Sequence, residues 1–188
     1  ATRRGVGVTD FVLTSTVRIG SKTKSDGPAA EGGILFAAPA GASAAKLGVS
    51  VSLVSGGILR LGVDGTAVQE QALGDTVTSA ALMIVRKDDR IQVFVQGRDG
   101  AVLTYTDPCI RGGAVQVYGV NTTANFTNLG LEDITGREVA TAALYRQWLQ
   151  NILPSIVKNY RESFNDLSGW KHLTRYHADH GTWVIEDG

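Results

Sequence analysis

Three histidines fall in one short stretch near the end of the chain, His172, His177 and His180, with Asp179 beside the last of them. A His-x-x-His pair with a carboxylate could hold zinc if all its members projected from one helical face, since zinc takes nitrogen and oxygen ligands in a tetrahedral array. The surrounding "TRYHADHGT" has no helical pattern and sits between two strand-like runs, so it reads as a solvated loop, and no metal is expected. Cys109 is the only cysteine, which excludes an internal disulfide and any cysteine-based metal cluster. Hydrolytic signatures are thin. There is no Gly-x-Ser-x-Gly elbow and no Glu-x-Asp-x-x-Glu strand, and Glu132-Asp133 closes a strand without a carboxylate partner at a defined separation. No catalytic residue and no cofactor is expected from these patterns. The sequons Asn121-Thr122-Thr123 and Asn125-Phe126-Thr127 are acceptors for glycosylation only in a eukaryotic secretory pathway.

Lys+Arg and Asp+Glu both number 18, and no basic run interleaved with aromatics occurs, so nucleic acid is not an expected partner. No stretch is apolar for long enough to cross a bilayer as a helix. No signal peptide precedes Ala1, although a mature secreted chain would have lost one. At 188 residues and 43% hydrophobic content, the chain is large enough for one principal domain with a real core and a connector.

The elements that must position any site are mostly strands. In "DFVLTSTVRI" Phe11, Leu13, Val17 and Ile19 share one face, and Thr14, Thr16 and Arg18 share the other, which is the period-2 signature of a strand with one wet side. Further strands read as "GGILFAA", "KLGVSVSLV", "GILRLGV", "AVQEQAL", "SAALMIVRK", "RIQVFVQG", "AVLTYT", "GAVQVYGV" and "ANFTNLGLEDI". Asp64-Gly65, Asp88-Asp89 and Asp99-Gly100 between them can supply the positive φ angles of tight hairpins. Many short strands with regular turn signals predict a sandwich or barrel over residues 1–135.

The period changes at Gly136. Tyr145, Trp148, Leu149, Ile152, Leu153, Ile156, Val157 and Tyr160 recur at steps of three and four, one stripe on a helical connector spanning 136–163. Pro154 should kink it, because proline lacks an N–H and clashes with the preceding turn. The stripe is expected to be covered, with Trp148 and Ile152 among its most buried residues; a docking helix for a partner is the other reading. Residues 164–188 return to β structure with "TWVIE".

Together "FNDLSGW", "GTWVIEDG", "TDFVLTSTVRI", "EGGILFAA", "DDRIQVFVQG" and "TDPCIRGGAVQVYGVNTTANFTNLGLED" resemble the successive strands of a concanavalin-like β-sandwich, and within that class the family 66 carbohydrate-binding modules, the fructan- or levan-binding domains of family 32 glycoside hydrolases. The fold implied is mainly β, an antiparallel concanavalin-like sandwich of jelly-roll type with one kinked helical segment. In that family the "FNDLSGW…GTWVIEDG" strands come first, whereas here they follow the helix. The order implies a circular permutation, with residues 164–188 pairing with the strand that begins at Asp10, or else strands exchanged with a neighbouring molecule. Trp170 and Trp183 are expected in the core rather than as sugar platforms.

The resemblance implies a ligand and a site. The ligand is an oligo- or polysaccharide, fructan first, bound without catalysis by a secreted or extracellular module of a larger glycan-degrading enzyme, with a catalytic domain or subunit as the further partner. The ligand-binding residues it implies are Glu31 before "GGILF", Asp107 in the "TD" segment, and Tyr118 and Asn121 in "VYGVN". The family's strand continues Phe-Arg-Ala where this one reads Phe36-Ala37-Ala38, so Arg60 or Arg111 must supply the missing cation. Two alternatives stand beside this: a glycan-acting hydrolase, because "NDLSGW…GTWVIEDG" is similar to the 3-keto-disaccharide hydrolase domain, and a structural domain that docks a catalytic partner through its helix.

Overall fold

In the computed structural model, residues 2–3, 9–38, 48–106 and 114–151 are described. Eleven strands run in chain order: β1 (Thr2–Arg3), β2 (Phe11–Lys22), β3 (Glu31–Ala38), β4 (Val49–Val54), β5 (Ile58–Val63), β6 (Thr66–Ala72), β7 (Ser79–Lys87), β8 (Arg90–Val95), β9 (Ala101–Thr106), β10 (Ala114–Val120) and β11 (Thr122–Asp133). A helix, α1, begins at 141 and is described to 151. The strands form a six-stranded sheet ordered β1-β10-β3-β4-β5-β6 and a five-stranded sheet ordered β11-β2-β7-β8-β9, antiparallel throughout. The fold is the expected antiparallel β-sandwich of concanavalin-like, jelly-roll type. The chain divides into two units, Ala1–Tyr145 and Arg146–Gly188.

The alternation in the sequence is what packs the sandwich. Phe11, Leu13, Val17 and Ile19 of β2 and Leu82 and Ile84 of β7 face Ile34, Phe36, Val51, Leu53, Leu59 and Leu61 of the other sheet, all nearly excluded from solvent. Phe11 and Phe36 meet edge to face with ring centroids 5.5 Å apart, the arrangement the ring quadrupole favours. Trp170 and Trp183 lie outside the described residues. So do the three histidines, Pro154 and the whole of 164–188.

The expected pairing of 164–188 with the strand beginning at Asp10 falls outside the described residues. That strand is β2, and it is bonded along one edge to β11 and along the other to β7, from Phe11 onward. The expected turns hold: Asp64, Gly65, Asp88 and Gly100 all adopt positive φ. β6 and β9, the outermost strands of the two sheets on one side, are joined by Gln69, whose Oε1 accepts a hydrogen bond from the Thr104 amide at 3.1 Å.

The start of α1 belongs to the first unit. Tyr145 stacks on Phe94 of β8 with centroids 4.7 Å apart and 23° between planes. Its hydroxyl lies 2.8 Å and 2.7 Å from the carbonyls of Val95 and Arg98 and shares its proton between them. Thr141 donates to Gln92 Oε1 at 2.7 Å. The buried helical residues among those described are Leu144 and Tyr145, whereas Trp148 is partly exposed. The burial expected at Trp148 therefore falls a turn earlier, because the ring of Tyr145 meets an aromatic partner on the sheet. Ile152 lies outside the described residues.

Candidate functional site

The face of the six-stranded sheet turned away from the core carries a row of aligned residues. Register sets Tyr118 of β10 opposite Gly33 of β3, Gly33 opposite Ser52 of β4, Ser52 opposite Arg60 of β5, and Arg60 opposite Glu70 of β6. Because strands are spaced ~4.8 Å apart, the row extends about 19 Å across the sheet. Its parity opposes that of Ile34, Val51, Leu53, Leu59 and Leu61, which is why these polar side chains point outward.

Gly33 determines how Tyr118 lies. A Cβ built there would stand 2.7 Å from Ser52 Cβ and 2.8 Å from both Tyr118 Cζ and its hydroxyl oxygen. Without a side chain at 33 the phenol can lie down over the strand and reach sideways. It donates a hydrogen bond to Glu31 Oε1 at 2.8 Å. The other oxygen of Glu31 accepts from Arg60 Nη1 at 3.1 Å, and Arg60 Nε donates to Glu70 Oε1 at 2.6 Å. Since Glu31 is on β3 and Arg60 on β5, the guanidinium crosses over β4 to reach it. The hydroxyl of Ser52, fully buried on β4, makes no hydrogen bond of good geometry among the described residues.

Burial raises the Tyr118 pKa to about 12, with the negative charge of Glu31 and the hydrogen bond to it acting in the same direction; the neighbouring Ser52 and Ser50 hydroxyls pull it back. The phenol thus remains a neutral donor at physiological pH. Exposure of the side chains rises along the network, from 17% at Glu31 through 30% at Arg60 to 45% at Glu70, so the Glu70 end is the one open to solvent.

The structure brings together Glu31, Arg60 and Tyr118 of the expected site residues. Arg60 pairs with Glu31; Arg111 and Asp107 lie outside the described residues. Asn121 stands apart. It sits in the left-handed region at φ 50°, its Oδ1 accepts from the Lys24 amide and the Thr23 hydroxyl, each at 2.8 Å, and its Nδ2 donates to the carbonyls of Lys24 and Pro28 at 2.9 Å and 2.7 Å. Both amide N–H groups and two acceptor positions are taken, so Asn121 clips the loop between β2 and β3 and has no donor to spare. Glu70 and Ser52 were not anticipated, and the only sequence signal for Glu70 was its place in the hairpin that turns at Asp64-Gly65.

No family model matches this sequence, and no curated protein matches it. Solved structures do. The carbohydrate-binding module CBM66 from Bacillus subtilis aligns with a TM-score of 0.51 at 18% identity, covering 68% of this chain and 78% of that one. This chain shares its fold with that module. Sheep galectin-11, in a complex with glycerol, aligns with a TM-score of 0.46 at 15% identity, covering 70% of this chain and 96% of that one. At these identities the likeness concerns the path of the backbone. The chemistry of the row has to be read from Tyr118, Glu31, Arg60 and Glu70 themselves. No group of metal-ligating side chains occurs among the described residues, and no helix among them is long and apolar enough to cross a membrane.

Proposed function

We propose that the sandwich is a carbohydrate-binding module that holds a glycan on the outward face of its six-stranded sheet, at Tyr118, Glu31, Arg60 and Glu70. The observation that carries this is the posture of Tyr118, laid over Gly33 with its hydroxyl on Glu31. A ring lying along a sheet offers a flat apolar face to the C–H face of a sugar, and the adjacent carboxylate and guanidinium groups accept from and donate to its hydroxyls. The fold shared with a carbohydrate-binding module supports the same reading. Fructan heads the ligands to test, because the sequence resemblance names it and Arg60 can stand in for the absent arginine. The proposal extends to context: a non-catalytic module of a larger extracellular glycan-degrading protein, with 136–163 as connector and 164–188 supplying strands to this sandwich or a neighbouring one. The order of the motifs supports that extension.

Calorimetric titration with levan, inulin, arabinan and galactan tests it. Saturable binding without release of product is expected for at least one, weakened about tenfold or more in Arg60→Ala, as loss of a charge-assisted hydrogen bond requires. No binding across the panel, or binding unchanged in both Arg60→Ala and Tyr118→Ala, refutes it.

A further inference from the structure

We infer that this face selects uncharged glycans and excludes uronates, with Glu70 as the specificity-determining residue; the inference rests on the glycan reading above. The cluster holds two carboxylates, Glu31 and Glu70, against one guanidinium, Arg60, and Tyr118 is neutral, so one negative charge is in excess. Glu31 has both oxygens engaged, one by Tyr118 and one by Arg60, and is the less exposed of the pair. Glu70 is engaged through Oε1 alone among the described residues and is the most exposed member of the network. Its Oε2 and the outer N–H groups of Arg60 therefore form an adjacent acceptor and donor at the solvent end of the row.

That pair matches the hydroxyl group, which can donate to a carboxylate while accepting from a guanidinium, and a vicinal diol can engage both partners in the same plane. A uronate carboxylate can only accept. It would have to take Arg60 from Glu70 and then lie between two carboxylates with no cation left over, and like charges in a partly desolvated cluster repel strongly.

The test is a binding panel at low salt with two sides: levan, inulin, mannan and galactan as uncharged members, and polymannuronate and polygalacturonate as acidic ones. Wild type is expected to bind only on the uncharged side. Glu70→Gln should weaken that binding about tenfold, because the amide is a poorer acceptor and lets Arg60 swing free, and should narrow the discrimination against uronates. If wild type binds a uronate polymer as tightly as its best uncharged ligand, charge selection is wrong while the glycan reading stands. Unchanged affinity in Glu70→Gln removes Glu70 from the site. If no polymer binds on either side, the glycan reading fails and takes this inference with it.

Discussion

Arg60 and Glu70 face one another across the β5–β6 hairpin, Nε to Oε1 at 2.6 Å, because β6 carries one residue more than its partner. The pairing runs Val63 with Thr66 and Gly62 with Ala67, then skips Val68 and resumes with Leu61 opposite Gln69 and Arg60 opposite Glu70. An unbroken hairpin would have put Gln69 opposite Arg60 and turned Glu70 to the core-facing side, since side chains alternate at every residue.

Deleting Gly62 from β5 should therefore uncouple the pair, because β6 would then need a second extra residue to keep Glu70 opposite Arg60. In wild type a double-mutant cycle on Arg60 and Glu70 is expected to give a coupling of about 0.5 to 1 kcal/mol, modest because both side chains are partly exposed. In the deletion variant the same cycle should give none. Equal coupling in both backgrounds would mean the bulge does not set the register.

Stability should fall steeply in alkali because of Tyr118. Its pKa in the folded state is about 12 against an ordinary value of 10.0, so the folded chain keeps the phenolic proton after the unfolded chain has released it. The stabilisation is complete below pH 10 and is lost as pH rises from 10 towards 12, at most about 2 to 3 kcal/mol from a shift of this size. Tyr118→Phe should abolish that step. Urea unfolding across this pH range, with tyrosinate absorbance followed in parallel, measures both.

Gly33→Ala should push the Tyr118 ring off the strand. The new methyl would meet Ser52 Cβ, which is held by backbone, as well as the ring, and such overpacking costs about 1 to 3 kcal/mol. The diagnostic consequence is at Tyr118. Its alkaline titration should move back towards the ordinary tyrosine range as the ring leaves its buried seat, which absorbance titration detects.

Tyr145→Ala should destabilise the first unit by about 3 to 5 kcal/mol, the range for removing a buried aromatic residue. Tyr145→Phe should cost only about 1 kcal/mol, since it keeps the stack on Phe94 and loses one hydrogen bond. Chemical denaturation of the two variants separates packing from hydrogen bonding.

Much of the fold was legible because burial alternates with the sequence: ten strands, from "DFVLTSTVRI" to "ANFTNLGLEDI", occur where the period-2 runs occur. β1 escaped notice because two residues, Thr2–Arg3, carry no period at all. The site was legible only in part. Glu31 and Tyr118 stood out by resemblance, and Arg60 as a candidate replacement cation. Glu70 could not be placed, because a bulge at Val68 leaves no mark in a run as plain as "TAVQEQA" and shifts everything after it. Asn121 holds the loop between β2 and β3 through its side-chain amide. The amide groups that could bind a hydroxyl are the same ones that close a loop, and its left-handed backbone is a common place for asparagine.

The bond from Gln69 to Thr104 gives an outermost strand a property of an inner one. A strand at the margin of a sheet ordinarily leaves its outward amides to water, where they exchange with deuterium quickly and where a foreign chain can latch on. The Thr104 amide is occupied by a side chain from the opposite sheet. It should exchange slowly for its position, and any chain extending the sheet at β9 would first have to displace Gln69, which places a guard against aggregation at that margin.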